Sequence, residues 1–201
     1  MFFGNKNTFA IESGITQAYE RLGFRALGYF VLHIGGFCYG VRESDATLLA
    51  CAFDEAKKII LNRGNHTTPF ANELNPGMIL NAFRKAVYAP DSGDKNFFGL
   101  SKNQFSNFIY SSHCGWHWAC DEAFDDGGVI LHFDVGNRVR LIADKPPREQ
   151  NDYLHDPKTL RDVWLDADEF YGILEKWRDA FEAEWQAAPK ISECDDGAEQ
   201  S

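Results

Sequence analysis

Histidine and cysteine, the residue types that bind zinc, are concentrated in one short segment, His113-Cys114-Gly115-Trp116-His117-Trp118-Ala119-Cys120. A structural zinc site takes two pairs of ligands separated by a longer spacer, whereas here all candidate ligands are crowded together. A Cys/His nucleophile is also conceivable, because Cys114 or Cys120 could meet His66 or His132 in space, but no spacing requires it. We therefore interpret the segment as buried aromatic packing with incidental thiols, and we predict neither a metal nor a cofactor.

A cluster of carboxylates follows directly, in Asp121-Glu122-Ala123-Phe124-Asp125-Asp126. Paired carboxylates can bind a divalent cation or act as general acid and base. The run is equally what a solvated turn looks like, with its charge partly neutralised by Arg138 and Arg140, and we favour that interpretation. A third possibility is that the carboxylates face Lys and Arg of a protein partner. The motifs of phosphate-binding loops, serine hydrolases and zinc proteases are missing from the sequence.

The acidic residues are distributed unevenly along the 201-residue chain. Its formal net charge is -10, yet residues 1–148 hold 15 acids and 15 bases, while residues 149–201 hold 15 acids and 5 bases. Solubility alone requires no such asymmetry. A nucleic-acid or anionic-membrane surface would need a basic patch, so the charge argues against both and favours a basic protein partner.

Other bounds follow from composition. The chain is long enough for one good core and has no run of about 18 apolar residues that would span a membrane. Its first residues do not form a secretory signal, and its five cysteines are odd in number and scattered, which is typical of reduced thiols. We therefore expect a cytoplasmic protein.

The element that organises the chain is a predicted β-hairpin over residues 129–143, turning at Gly136-Asn137. Because strand side chains alternate, two faces can be assigned without knowing the exact turn. One face carries Val129, Leu131, Phe133, Arg138, Arg140 and Ile142, and the other carries Ile130, His132, Asp134, Val139, Leu141 and Ala143. Both faces are apolar at the open end, which predicts a pair of strands buried on both sides. The polar tip at the turn is where we expect a site.

Helices are predicted on either side of the hairpin. The clearest is the last, where Phe170, Ile173, Leu174, Trp177, Phe181 and Trp185 form an apolar stripe after a capping pair, Asp166 and Glu169. Of two earlier predicted helices, the first ends at Asn62 and the second begins at Asn75-Pro76. Residues 8–12 and 26–34 are predicted strands. The segment between them, 15–24, could be a helical turn or an irregular loop. After the hairpin, the prolines from Pro146 to Pro157 predict a long surface connection.

These elements predict an α+β fold with a mainly antiparallel sheet centred on the 129–143 hairpin, covered by helices that include the C-terminal amphipathic helix. We expect a single domain at 1–188 and an acidic, disordered tail at 189–201, since the tail has almost nothing to bury.

Several segments together resemble the immunity protein 42 family, small proteins encoded beside toxins in bacterial polymorphic-toxin systems. They are Gly4-Asn5 before Phe9-Ala10-Ile11-Glu12, then Gly28-Tyr29-Phe30, the acidic run into Gly127, Phe133-Asp134 with Gly136-Asn137 and Val139 to Ala143, and Phe170 with Leu174 and Trp177. The resemblance spans roughly residues 3–180 and transfers no catalytic pattern. It implies an inhibitor that binds a cognate toxin domain stoichiometrically, and not an enzyme.

The predicted toxin-binding residues combine aromatic anchors with carboxylates that steer a basic partner. They are Trp116, Trp118, Asp121, Glu122, Asp125, Asp126, Asp168 and Glu175. For the two tryptophans, packing in the core is an equally weighted alternative. The competing function is a small metal- or thiol-dependent enzyme that uses His113, His117 and Cys120.

Overall fold

The computed structural model describes residues 1–89, 97–116, 122–145 and 154–191. Their strands and helices follow one another in this order: β1 (Phe2–Gly4), β2 (Phe9–Tyr19), β3 (Ala26–Ile34), β4 (Phe37–Tyr39), β5 (Thr47–Leu48), α1 (Leu49–Leu61), α2 (Pro76–Tyr88), α3 (Lys102–Ser111), a short 3-10 helix (Glu122–Phe124), β6 (Val129–Val135), β7 (Arg138–Asp144), β8 (Arg161–Asp166), α4 (Ala167–Ala187) and β9 (Lys190–Ile191). The predicted α+β class is confirmed.

The strands are divided between two sheets. The larger has the antiparallel order β1-β2-β3-β4, with β5 beside β3 and β9 parallel to β2. The smaller has the order β6-β7-β8 and is antiparallel throughout. The predicted hairpin is therefore β6 and β7, which belong to the smaller sheet, and β7 is the middle strand of that sheet.

The hairpin lies between two hydrophobic cores, as its alternation predicted. Residues of one face, such as Ile130 and Leu141, pack into the first core with the larger sheet, α1 and α4. Residues of the other face, such as Leu131 and Phe133, pack into the second core with α2 and α3. The loop has two residues, since Val135 pairs with Arg138. Each face is buried because each is supplied with its own apolar layer.

Capping residues set the starts of α2 and α4. The Asn75 side chain accepts the Gly77 N–H at 3.0 Å ahead of α2, with Pro76 at the first helical position. The Asp166 side chain accepts the Asp168 N–H at 2.9 Å ahead of α4. Both caps were predicted. The apolar stripe of α4 is buried against the larger sheet, where the Trp177 indole N–H donates to the Ser13 hydroxyl at 2.9 Å.

Three sequence predictions differ from the structure. Residues 15–19 of the open segment at 15–24 belong to β2, because an irregularity between Ile15 and Gln17 lets that strand stay paired with β3 as far as Ala18. A strand that was not predicted, β8, lies between the predicted surface connection and α4, and it completes the smaller sheet beside β7. Lys190 and Ile191, which the sequence assigned to the disordered tail, lie alongside β2 as β9. Residues 192–201 of the predicted tail lie outside the described residues, and the single-domain prediction remains a prediction.

Candidate functional site

A network of buried polar groups fixes the tip of the hairpin. Asp134, near the end of β6, accepts the Tyr171 hydroxyl at 2.8 Å and the backbone N–H of His66 at 3.1 Å. The Asp134 N–H in turn donates to the His66 carbonyl at 2.8 Å. Burial and the hydrogen bond to Asp134 raise the pKa of Tyr171, so the phenol stays a donor. The tip is thereby tied to α4 and to the loop after α1.

A cleft of about 230 Å³ opens beside this network. Its walls are the loop after α1, the hairpin turn and the first turn of α4, which supply Arg63, Asn137, Asp166 and Asp168. Arg63 forms an ion pair with Asp168 and lies 4.9 Å from the centroid of the Tyr171 ring. The cleft therefore holds more carboxylates than cations, and its rim is solvent-exposed.

The other face of the tip carries a stack of arginine and tryptophan. Arg140 of β7 is nearly completely buried and binds both carboxylate oxygens of Asp162 at 2.8 Å. Its Nη1 also donates to the carbonyls of Ala71 and Glu73. The half-buried Trp164 ring of β8 contacts Arg140 and the exposed Arg138, whose guanidinium carbons lie 5.2 and 5.1 Å from the ring centroid. The two arginines thereby hold the Trp164 side chain rigidly at the surface.

The predicted anchor Trp116 is inside the protein. Its side chain is 0 % exposed and stacks on Phe30 in the first core, with ring centroids 5.9 Å apart. Its backbone N–H donates to the Ile130 carbonyl, so the segment runs along β6. Trp116 is therefore a core residue, which is the alternative that the sequence left open. We do not retain Trp116 as an anchor. Trp118 and Asp121 lie outside the described residues.

The predicted carboxylates belong to two separate regions. Asp168 and Glu175 lie on the exposed surface of α4, and Asp168 borders the cleft. Glu122 and Asp125 are exposed in the turn that leads into the open end of the hairpin, away from its tip.

Asp126 is committed to the structure of that turn. It accepts the N–H groups of Gly40 and Gly128 and forms an ion pair with Lys145. The expected neutralisation of this turn by Arg138 and Arg140 is wrong, because Val129 pairs with Asp144 and thus places Asp126 beside Lys145, at the opposite end of the strands from both arginines.

The structure describes the residues of the enzyme alternative only in part. His113 is exposed, while Cys114 is buried in a setting that raises the pKa of its thiol through desolvation. Burial lowers the pKa of His132 well below its ordinary value, and the nearby His66 and His113 add to that effect. Within the described ranges, no group of three His, Cys, Asp or Glu could hold a metal ion. His117 and Cys120 lie outside those ranges.

Sequence reasoning missed Trp164, Arg63 and Asn137 as surface groups of the tip. One signal was present for Trp164, because Asp162-Val163-Trp164-Leu165-Asp166 alternates polar or aromatic with aliphatic residues, as a half-buried strand does. No local signal marks Arg63, which reaches the cleft only through the packing of α1 against α4.

The family model for immunity protein 42 matches residues 1–180. The chain belongs to the immunity protein 42 family. This immunity protein is also similar in structure to CdiI from Burkholderia dolosa AUO158, with a TM-score of 0.56 and 19% sequence identity over 90% of this chain and 99% of that chain. At that identity the likeness shows a shared fold. No curated protein matches the chain.

Family membership confirms the predicted role of the chain, which is to neutralise a cognate toxin. No helix in the described part of the immunity protein is long and apolar enough to cross a membrane.

Proposed function

We propose that this immunity protein neutralises its toxin by stoichiometric binding at the tip of the hairpin, without catalysis of its own, and in the cytoplasm. The observation that carries the proposal is the cleft beside the turn, whose described lining includes the acidic Asp166 and Asp168 and one basic residue, Arg63. A concave, rigidly supported surface rimmed by exposed charges suits recognition of a protein partner.

The proposed partner is a basic toxin domain. The cleft is rich in carboxylates, and the last quarter of the chain, which includes α4, holds 15 acids and 5 bases. Opposite potentials speed association and are screened over a Debye length of about 10 Å at 0.1 M salt. Binding should therefore weaken as salt is added.

Two matched pairs of substitutions separate the halves of the predicted acidic set. Asp168→Asn with Glu175→Gln removes two exposed charges beside the cleft, and Asp125→Asn with Glu122→Gln removes two exposed charges at the open end of the hairpin. The measurement is the association rate with the toxin encoded beside this gene, at low salt, together with rescue of growth on co-expression. We expect the first pair to slow association and the second to leave it unchanged, since rim charges act mainly on the on-rate.

Equal on-rates for both pairs and the parent would show that the carboxylates near the cleft are only solvated surface. Slowing by the second pair alone would move the binding site to the turn at 122–126. Failure of the parent to rescue growth would reject the neutralisation of this toxin altogether.

A further inference from the structure

The register of the smaller sheet tells which backbone groups point away from it. In an antiparallel pair, alternate residues exchange both hydrogen bonds with the residue opposite, and the intervening residues direct theirs outward. The Ala167 N–H donates to the Asn137 carbonyl at 2.9 Å, immediately beyond the pairing of Asp166 with Arg138. By alternation, Arg161, Val163 and Leu165 bond to β7. The outer edge of β8 therefore presents the N–H and C=O groups of Asp162 and Trp164 and the N–H of Asp166.

The opposite edge of the same sheet is already occupied. On β6 the outward residues are Ile130, His132 and Asp134. The Ile130 carbonyl accepts the Trp116 N–H, the His132 N–H donates to Cys114, and the Asp134 N–H donates to His66, at 3.1, 2.8 and 2.8 Å. This edge is closed by the chain's own backbone.

The edge of β8 has no such cover in the described residues. No described strand pairs with it besides β7, and no described group bonds the outward backbone of Asp162 or Trp164. Asp162 and Asp166 are exposed, and β8 contains no proline or irregularity of register that would block a further strand. An open edge of this kind is a template for another extended chain.

We propose that an extended segment of the toxin adds to this edge as a fourth strand, with cationic side chains opposite Asp162 and Asp166. This proposal rests on the toxin binding proposed above and specifies how the toxin would bind. The two carboxylates and the Trp164 ring lie on one face of β8, at alternate positions, so a strand laid against them meets acid, aromatic and acid in turn. Arg140 already binds the Asp162 carboxylate from the β7 side, so Lys or Arg opposite Asp166 would give the more favourable cross-strand pair.

A second copy of this chain fits the edge poorly. When two copies of β8 pair antiparallel about a two-fold axis, one outward residue lies on the axis and faces the same residue of the other copy. Centring it on Trp164 places Asp162 against Asp166 of the other copy twice, and like charges opposite each other destabilise a sheet. The same carboxylates that favour a basic strand thus disfavour self-association.

Proline at the outward position provides the test. Asp162→Pro and Asp162→Ala both remove the carboxylate that binds Arg140, but only proline also removes the outward N–H, at an edge position where a folded strand tolerates it. The probe is the toxin encoded beside this gene, with affinity measured by calorimetry. We expect Asp162→Pro to bind about tenfold more weakly than Asp162→Ala, as the loss of one backbone hydrogen bond would cause.

Amide hydrogen exchange on the parent complex tests the same contact without a substitution, and decides the question if Asp162→Pro does not fold. The amides of Asp162, Trp164 and Asp166 should slow at least about tenfold when toxin is bound, since an amide must open its hydrogen bond to exchange. The amides of His132 and Asp134 are the internal control, because they are bonded in the free protein.

Unchanged exchange at Asp162, Trp164 and Asp166 in a saturated complex would overturn strand addition while leaving toxin binding intact. Equal affinities of the two Asp162 variants would do the same. A parent protein that neither binds the toxin nor rescues growth would overturn both proposals, so the two failures are distinguishable. Protection of these amides at high protein concentration without toxin, with a doubled mass, would assign the edge to a second copy instead.

Discussion

Trp177 joins the closing helix to the larger sheet, and its replacement tests how much of the fold depends on that contact. Its side chain is 0 % exposed, stacks on Phe181 at 5.6 Å and meets Phe30 edge-on at 5.0 Å. Its N–H donates to the buried Ser13 hydroxyl. Truncating a buried aromatic to alanine costs about 3–5 kcal/mol, a large part of the 5–15 kcal/mol typical of a domain. We expect Trp177→Ala to be insoluble or to unfold at much lower urea.

Two gentler variants isolate the hydrogen bond. Trp177→Phe keeps the ring contacts but deprives Ser13 of its donor, and Ser13→Ala leaves the indole N–H without an acceptor, so each should cost about 1–3 kcal/mol. The double variant should cost less than the sum, because it removes both partners together. Urea unfolding followed by far-UV circular dichroism measures all four proteins. Strict additivity would show that the hydrogen bond contributes nothing, and a Trp177→Ala protein as stable as the parent would refute burial of the stripe.

Three further predictions concern charged groups and metals. Arg84 and Asp144 form a buried ion pair between α2 and β7, so Asp144→Asn should destabilise by about 3–5 kcal/mol in urea unfolding, and pairing it with Arg84→Met should recover part of that loss. Folding lowers the pKa of His132, so its contribution to stability is present above the unfolded value near 6.5 and is lost by about 1.4 kcal/mol per pH unit below it. His132→Phe should therefore flatten the acid side of a plot of unfolding free energy against pH. Parallel plots for the variant and the parent would contradict this. Exhaustive chelation should leave the melting temperature unchanged, whereas one equivalent of tightly held zinc would reopen the enzyme alternative.

Local patterns predicted the elements whose form depends on neighbouring residues in the chain. Alternation along residues 129–143 assigned the hairpin faces to the two sides that the cores now occupy, because a strand turns successive side chains to opposite faces wherever it lies. The stripe of α4 and the caps at Asn75 and Asp166 were predictable for the same reason, since a helix repeat and a capping bond span only a few residues. Overall composition and resemblance to the family gave the class of function.

The sequence by itself thus determined the hairpin and the helices α1, α2 and α4, which of their faces are apolar, and that the chain is an acidic partner of a toxin. Only the tertiary structure decided that Trp116 is core, that Asp126 binds Lys145, and that Arg63, Asn137 and Asp168 meet at one cleft. It also decided that Arg161–Asp166 is a strand, β8, because a strand exists through its pairing partner and this segment pairs with β7. The other edge of β8 pairs with none of the described strands. The physical reason is range: propensity and periodicity act between neighbours, whereas burial, ion pairing and an open sheet edge are set by groups that only folding brings together.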